Sequence, residues 1–410
     1  MRTRIISNIG QLVGLHSTTQ PLRGSGLASL PSIDNAWLLI EDDTIADFGP
    51  MSRTPPAVEE KIDAAGGIVL PAWCDSHTHL VFAGSRESEF VDKLKGLSYA
   101  EINAKGGGIL NSARRLAETD DNELFNAAWA RLKELARLGT GAVEIKSGYG
   151  LTVEGELKML RVIKKLKERS PLAIRATFLG AHTYPAEYRD NHQGYIDSIV
   201  HEMLPVIARE GLADYIDVFC EKGFFSPEET ATVVRAGMSH GLVPKIHANQ
   251  LNLSGGVEVG VGLGALSVDH LETMDEHTIA TLAGSPTIGT LLPTAAFFLR
   301  MPMQPARALI DAGCAIALTT DFNPGSSPSG NMNLVVAISC IQMRMLPEEA
   351  INAATLNGAF AMSLGDQLGS IAKGKKANLQ LTRPVPSLAY IPYSFGTNHI
   401  AQVFINGEPI

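Results

Sequence analysis

The segment Gly67-Ile-Val-Leu-Pro-Ala-Trp-Cys-Asp-Ser-His-Thr-His79 contains the pattern that decides the fold. An apolar run at 67–70 ends at the strand breaker Pro71, and the pair His77 and His79 follows it. Side chains two residues apart in an extended chain point to the same face, so these two imidazoles lie side by side. We take 67–70 as the first strand of a parallel barrel. Both histidines then stand at the carboxyl end of that strand, where barrel enzymes carry out their chemistry.

Strand-like runs alternate with helical patterns through the middle of the chain. Further strands are predicted at 142–146, 173–177, 215–219, 243–247, 265–269, 287–290 and 315–319, and examples of the helices at 121–137, 154–168 and 227–240. With the first strand this makes eight units in about 300 residues, which fits a (β/α)8 TIM-like barrel better than an open doubly wound sheet.

The two ends of the chain have a different pattern, consisting of short strands. These are predicted at 36–40 and 45–48, and again at 377–381 and 399–405, where the hairpin signal Asn406-Gly407 follows. We therefore predict an α/β protein with a barrel domain over residues 67–366. A small discontinuous β-sandwich domain is predicted from residues 1–66 and 367–410.

Composition excludes several classes of partner. The formal net charge is −9 and no run of Lys or Arg occurs, so nucleic acid is not expected to bind. Four scattered cysteines without a CxxC pair indicate reduced thiols in a cytoplasmic protein. Polar residues interrupt the N-terminal apolar run, and the stretch 291–299 is far shorter than the ~20 residues of a membrane span. Neither a signal peptide nor a membrane segment is therefore expected. A homodimer is the default expectation for the oligomeric state.

Three more polar residues end or follow later predicted strands, namely His247, His270 and Asp321. Because strand ends meet at one mouth of a barrel, these residues join His77 and His79 in a set of nitrogen and oxygen donors. Such a set suits Zn²⁺, Fe or Mn. A His-x-His pair by itself is a weak signal. The alternative is that each histidine caps a turn or completes a hydrogen-bond network in the barrel mouth.

This order of strand-end ligands resembles the amidohydrolase superfamily, whose members pair a metal-bearing barrel with a β-sandwich made from both termini. The tail segments 354–359, 368–371 and 373–375 resemble it too, although its usual closing Ala-Asp is Ala377-Asn378 here. A finer resemblance is to the imidazolonepropionase family. It rests on ordered blocks at 82–87, 105–109, 144–151, 180–185, 245–250 and 320–326.

The resemblance implies a role for each matching residue. It implies metal ligands at His77, His79, His247 and Asp321, holding one divalent or trivalent ion, zinc or iron. It implies substrate contacts at Arg86, Tyr149, His182 and Gln250, product contacts at Asn323, Gly325 and Ser326, and His270 beside the metal-bound water. The implied reaction is hydrolysis of 4-imidazolone-5-propanoate to N-formimidoyl-L-glutamate, the third step of histidine catabolism.

The chemistry assigns tasks to three of these side chains. A divalent metal lowers the pKa of bound water from 15.7 to about 7. Asp321 is the candidate for moving the water proton to the leaving nitrogen, and His270 either shares that role or orients the water. Arg86 is the candidate clamp for the propionate of the anionic substrate. The alternative for Arg86 is a surface ion pair with Glu87 or Glu89.

Other sequence features distinguish between related functions and metal arrangements. Gln250 lies where related deaminases commonly carry a proton-shuttling glutamate, and a carboxamide cannot do that work. Glu144 and Lys146 share one face of a strand and predict an ion pair, whereas a carbamylated lysine would bridge two metals. The glycines 106–108 lack phosphate-loop spacing and predict a flexible loop near the pocket mouth. The remaining alternatives are an aminohydrolase of a nitrogen heterocycle and a non-catalytic barrel that serves as a binding module.

Overall fold

The computed structural model describes residues 2–97 and 107–410. Its strands form two eight-stranded sheets. One sheet consists of parallel strands from the middle of the chain, and the other combines strands from the two chain ends. This architecture confirms the predicted α/β barrel with a small β-domain built from both termini.

The parallel sheet runs in sequence order and closes into a barrel. Its strands are β6 Trp73–Thr78, β7 Thr140–Lys146, β8 Ala173–Ala181, β9 Tyr215–Cys220, β10 Val243–Ala248, β11 Ser267–His270, β12 Ile288–Leu291 and β13 Ile316–Leu318. Closure occurs just beyond β13. There the Asp321 amide donates to His77 O at 3.1 Å and the His79 amide donates to Phe322 O at 2.9 Å. The carboxyl ends of all eight strands therefore meet at one mouth.

Helices connect and cover these strands. The α-helices are Glu87–Leu94, Ile109–Glu118, Asp121–Arg137, Val153–Arg169, His192–Ser198, Leu204–Glu210, Pro227–Ser239, Gly256–Gly262, Glu276–Ala283, Pro293–Leu299, Ala306–Asp311, Met332–Met343, Pro347–Asn352, Gly358–Phe360 and Tyr390–Tyr393. Short 3-10 helices lie at Gly24–Ala28 and Ala186–Tyr188, and π-helices at Ile199–Met203 and Ala353–Asn357. Within the described ranges, no helix is both long and apolar enough to cross a bilayer.

The three helices given as examples from the sequence are confirmed, to within one residue at each end. Side-chain caps explain why their N-termini are so well defined. Asp120 accepts from the Asn122 amide, Thr152 accepts from the Gly155 amide, and Ser226 forms a capping box with Glu229.

The first barrel strand was predicted wrongly. The apolar run forms β5, Ile68–Pro71, which pairs with strands of the terminal sheet, and the barrel begins at Trp73 in β6. Strand β6 is fully buried although it carries Asp75 and His77, because both of these side chains are hydrogen-bonded inside the barrel. Because these residues are polar, a pattern of apolar residues does not predict β6 as a strand.

The terminal sheet contains β1 Thr3–Val13, β2 Ser32–Glu41, β3 Thr44–Pro50, β4 Glu60–Asp63, β5, β14 Leu379–Thr382, β15 Ile400–Ile405 and β16 Glu408–Pro409. The hydrogen bonds join them into one continuous sheet around its own apolar core. The β15–β16 turn meets the β2–β3 turn, so the sheet curves back on itself. A Cβ added at Gly407 (φ 76°) would lie only 2.6 Å from Asp42 O. The division at residues 66 and 367 stays a prediction.

Asn378, which stands where the superfamily usually has aspartate, joins the barrel to the terminal sheet. Asn378 donates from Nδ2 to Gly141 O at 3.2 Å and accepts from the Asn406 amide at 2.7 Å. It directly precedes β14, and its two contacts join the barrel strand β7 to the β15–β16 turn of the terminal sheet.

Candidate metal centre and substrate pocket

Three histidines converge at the carboxyl end of the barrel. His77 and His79 come from the end of β6, and His247 comes from β10. The Nε2 atoms of His77 and His79 are 3.3 Å apart, and one donor atom from each of the three rings lies within 4.8 Å of the other two. The predicted pairing of His77 with His79 is thus observed, together with a third imidazole from the opposite side of the mouth.

Hydrogen bonds determine which ring nitrogen carries a lone pair in two of the three histidines. His77 Nδ1 lies 2.7 Å from Asp269 Oδ2, and His247 Nδ1 lies 2.9 Å from Asp217 Oδ2. Because a carboxylate only accepts, both Nδ1 atoms donate and the Nε2 lone pairs face inward. Buried His247 Nε2 has no hydrogen-bond partner among residues 2–97 and 107–410. A cation is the partner that such converging lone pairs fit.

The protonation states also suit a metal. Burial lowers the pKa of His77, His79 and His247 well below the usual value, and neighbouring positive groups lower it further. The three rings are therefore neutral near pH 7, as ligation requires.

Asp321 supplies an oxygen at the same place. Its Oδ1 lies 3.6 Å from the Nε2 atoms of both His77 and His79. The residue has a left-handed backbone (φ 54°), and its carboxylate accepts from Ser326 Oγ at 3.2 Å. Burial raises the pKa of the Asp321 carboxyl to about 7, which a nearby cation would oppose. Three nitrogens and one oxygen make a donor set that zinc or iron accepts.

A buried ionic cluster lies beneath the metal centre. Lys146 Nζ is 2.6 Å from Glu144 Oε1, which confirms the predicted ion pair. The same Nζ is 2.8 Å from Asp217 Oδ2 and 3.5 Å from Asp269 Oδ2. Burial alone lowers the pKa of Lys146, but the three carboxylates outweigh it and the pKa is raised. A carbamate would place another anion among them, so this cluster disfavours the carbamylated-lysine alternative.

A cavity of about 710 Å³ opens beside the metal centre. It is lined by every residue for which a substrate or product contact was predicted: Arg86, Tyr149, His182, Gln250, Asn323, Gly325 and Ser326. His79, His247, His270 and Asp321 line it as well. Residues from six separated parts of the sequence thus face one space, although the roles of individual residues stay predictions.

Arg86 combines both predicted environments. Its side chain is only 9% exposed, and Nε and Nη2 donate to Glu89 Oε2 at 2.9 and 2.6 Å. The ion pair with Glu89 therefore exists, yet it lies in the pocket wall and not on the open surface. Nη1 points toward Gly325, where an added Cβ would lie 2.3 Å away.

Tyr149 and His182 occupy neighbouring loops above β7 and β8. His182 Nδ1 donates to Gly148 O at 3.0 Å, and its ring stacks on His79 with centroids 5.3 Å apart. The Tyr149 loop is held by Glu156, whose carboxylate accepts from the amides of Gly148, Gly150 and Leu151 at 3.1, 2.7 and 3.0 Å.

His270 ends β11 in a strained backbone conformation (φ 91°). Its Nδ1 lies 3.5 Å from Glu272 Oε1, which also accepts from Gln304 Nε2 at 3.0 Å. Burial alone lowers the pKa of His270, but Glu272, Asp321 and Asp269 outweigh it and the pKa is raised. The ring is thus positioned beside Asp321 in a state that can hold a proton.

The glycine segment is described only in part, since Lys105 and Gly106 lie outside the described residues. Gly108 (φ 83°) precedes the helix Ile109–Glu118, and its amide donates to Glu89 Oε1 at 3.1 Å. Ile109 lines the pocket, which agrees with the predicted position near its mouth.

Several site residues were missed by the sequence analysis. Asp217, Asp269, Glu156, Glu272 and Gln304 act through other side chains or loops. Asp217 and Asp269 are the only charged residues of the predicted strands 215–219 and 265–269, and a charge in such a strand is the signal that would have revealed them. Glu156 and Gln304 gave no comparable signal.

Comparison with known proteins gives a consistent result. The model of the amidohydrolase family matches residues 68–410. An imidazolonepropionase of Flavobacterium johnsoniae is 57% identical, covering 99% of each chain. The imidazolonepropionases of Christiangramia forsetii and a Geobacillus species are 55% and 42% identical, covering 100% of this chain and 100% and 98% of theirs.

Solved structures share the fold at low sequence identity. Escherichia coli guanine deaminase has a TM-score of 0.77 at 16% identity, covering 100% of this chain and 99% of its own. A triazine hydrolase variant has a TM-score of 0.74 at 15% identity, covering 100% and 94%. At this identity the likeness concerns the fold alone.

Proposed function

This chain belongs to the amidohydrolase family and, within it, to the imidazolonepropionases, and from this premise we propose that it hydrolyses 4-imidazolone-5-propanoate. The product is N-formimidoyl-L-glutamate, and the step belongs to histidine degradation. The observation that supports this substrate is the shared pocket. Arg86, Tyr149, His182 and Gln250 line one cavity with His79 and His247, so a cation site and an anion clamp lie within reach of one small molecule.

His77, His79, His247 and Asp321 would hold the metal, one zinc or iron ion per chain. Such an ion, when bound, activates water and polarises the ring carbonyl as a Lewis acid. The lone pairs facing inward from His77 and His247 and the nearby Asp321 oxygen support this assignment.

The protein residues bind and orient the substrate and move the proton. Arg86 binds the propionate and so holds the substrate in the pocket. Water oxygen bonds to the ring carbonyl carbon and the C–N bond breaks. The Asp321 carboxylate takes the water proton and delivers it to the leaving nitrogen. His270, held by Glu272, either shares this transfer or orients the water.

Gln250 distinguishes this reaction from deamination. Its carboxamide donates and accepts hydrogen bonds but takes no proton at neutral pH. The side chain lines the pocket directly after the β10 segment that carries His247. We therefore assign Gln250 to substrate binding.

The test combines elemental analysis with an ultraviolet assay of imidazolone propionate and measurement of free ammonia. The expected result is about one zinc or iron per chain, loss of the substrate absorbance, and no ammonia. Ammonia release from a nitrogen heterocycle would instead identify an aminohydrolase, and a metal-free protein without turnover would identify a binding module. His77→Ala abolishes activity if the proposal holds.

The homodimer and the cytoplasmic location stay predictions. Sedimentation equilibrium of the purified protein tests the first, and fractionation of the source cells tests the second.

A further inference from the structure

We propose that Lys146 is a positioning residue for the metal centre, holding the two carboxylates that orient the ligating imidazoles of His77 and His247. This inference rests on the proposed metal site but not on the identity of the substrate. Among the described residues, Lys146 Nζ forms no hydrogen bond or ion pair with a predicted metal ligand, and the positioning role that we assign to it is exerted through its contacts with Asp217 and Asp269.

The contacts form two branches from one ammonium group. In the first, Lys146 Nζ lies 2.8 Å from Asp217 Oδ2, and the same oxygen is 2.9 Å from His247 Nδ1. In the second, Nζ lies 3.5 Å from Asp269 Oδ2, and that oxygen is 2.7 Å from His77 Nδ1. The two imidazoles, 4.4 Å apart between ring centroids, are therefore tied to a single cation.

The branches connect five strands of the barrel. Lys146 is the last residue of β7, Asp217 lies in β9 and Asp269 in β11, while the histidines come from β6 and β10. Each aspartate also has a contact of its own at Oδ1: Asp217 accepts from the His247 amide at 3.1 Å, and Asp269 accepts from Ser267 Oγ at 2.6 Å. A common cation restricts both at once, and so restricts the direction of both Nε2 lone pairs.

Charge makes this contact necessary. The side chains of Lys146, Asp217 and Asp269 are all 0% exposed, and unpaired buried carboxylates are costly. In the described part of the chain, Lys146 is the only lysine or arginine within 4.0 Å of either aspartate. Without Lys146, the Oδ2 atom of each aspartate loses its ionic partner, and the direction of the histidine Nδ1 bonded to that atom is less fixed.

Lys245 offers a matched control. It is also fully buried, and it pairs with Glu144, the third carboxylate of the cluster. Its other contacts are the carbonyl oxygens of Ser76 and Ala361 at 3.1 and 3.2 Å. Lys245 thus shares the burial and one ionic partner of Lys146 but contacts neither Asp217 nor Asp269 within hydrogen-bond distance.

The experiment measures zinc affinity by competition with a chromophoric chelator, using protein shown to be folded by circular dichroism. Loss of a side chain that supports metal ligands typically weakens affinity 10–100-fold, and we expect about that loss for Lys146→Met. For Lys245→Met we expect a clearly smaller loss, because its ammonium group is hydrogen-bonded to neither aspartate. The readout is independent of turnover, so a wrong substrate assignment leaves it unaffected, whereas a wild-type protein without zinc affinity would reject the metal site itself.

A second variant addresses folding. Lys146→Met combined with Glu144→Gln removes one positive and one negative group. The five-residue cluster of three carboxylates and two lysines then keeps its net charge of −1, since two carboxylates and one lysine remain. We expect this double variant to fold and still to bind zinc 10–100-fold more weakly. Wild-type affinity in either folded variant, or an equal loss in Lys245→Met, would overturn the proposal.

Discussion

Replacing Arg86 by alanine tests the proposed substrate clamp most directly. A guanidinium has five N–H donors, and two of them are used on Glu89 at 2.9 and 2.6 Å. Three have no acceptor within residues 2–97 and 107–410, including both on Nη1, which is enough for a paired contact to the propionate. We expect Arg86→Ala to raise KM strongly, while bound metal and kcat stay near the wild-type values.

The size of the effect follows from the bonds that are lost. Hydrogen bonds to charged groups contribute about 1.5–3 kcal/mol each, so two bonds at the lower end contribute about 3 kcal/mol. At 1.36 kcal/mol per factor of ten, this corresponds to a roughly 150-fold rise in KM. The propionate does not change charge during ring opening, so the contact stabilises ground state and transition state alike and kcat is spared.

The assay needs two controls. In Arg86→Ala the Glu89 carboxylate loses its partner and would repel the substrate, which by itself raises KM. The double variant Arg86→Ala with Glu89→Gln removes that repulsion and should still show a KM at least tenfold above wild type. Arg300→Ala removes an exposed arginine from the rim of the same pocket and should change KM little.

Initial rates from the ultraviolet absorbance of imidazolone propionate give KM and kcat, and elemental analysis gives the metal content. A KM for Arg86→Ala within about threefold of wild type would refute the clamp, since even one lost charged bond exceeds that. A wild-type KM in the double variant would also refute it, because repulsion by Glu89 would then explain the whole effect.

Three further predictions concern the metal, the Tyr149 loop and acid stability. Chelation should abolish turnover and lower the melting temperature, because metal present at 1,000 times its Kd stabilises the fold by about 4.1 kcal/mol; added zinc or iron should reverse both changes, and calorimetry that shows no shift would contradict a bound ion. Glu156→Gln weakens the acceptor of three loop amides, so urea unfolding should show a loss of about 1–3 kcal/mol and kinetics a higher KM, whereas unchanged values would show that the loop holds itself. Burial lowers the pKa of His16 in the folded protein. The stability contributed by its neutral ring is therefore present above the ordinary pKa of 6.5 and is lost as the pH falls through the folded pKa. The free energy of unfolding of His16→Gln, measured in urea, should depend less on pH below 6.5 than that of the wild type, and an unchanged pH dependence would contradict this.

Local patterns account for most of what the sequence predicted. The caps Asp120, Thr152 and Ser226 lie next to the helices that they begin, so a few neighbouring residues determine those boundaries. The spacing of His77 and His79 likewise determines that both rings share a face, whatever surrounds them. The barrel follows from the alternation of strand and helix, because parallel neighbours need a crossover connection.

The error at β5 shows where local patterns fail. An apolar run predicts a buried strand but not the sheet to which that strand belongs. Ile68–Pro71 is buried, yet its partners are β1 and β14, and the β14 partner lies about three hundred residues later. The polar segment β6 can be buried as the first barrel strand because groups distant in sequence form hydrogen bonds with Asp75 and His77.

The sequence alone therefore determined the class of fold and predicted the candidate ligand residues and their donor types, since these depend on residue chemistry and short spacings. Only the tertiary structure decided that Asp217 and Asp269 aim the imidazoles, that Lys146 joins the two, and that Arg86 shares the pocket wall with Glu89. Each of these relations joins side chains through space across different strands or loops. Their geometry arises only when the barrel closes and brings the strand ends to one mouth.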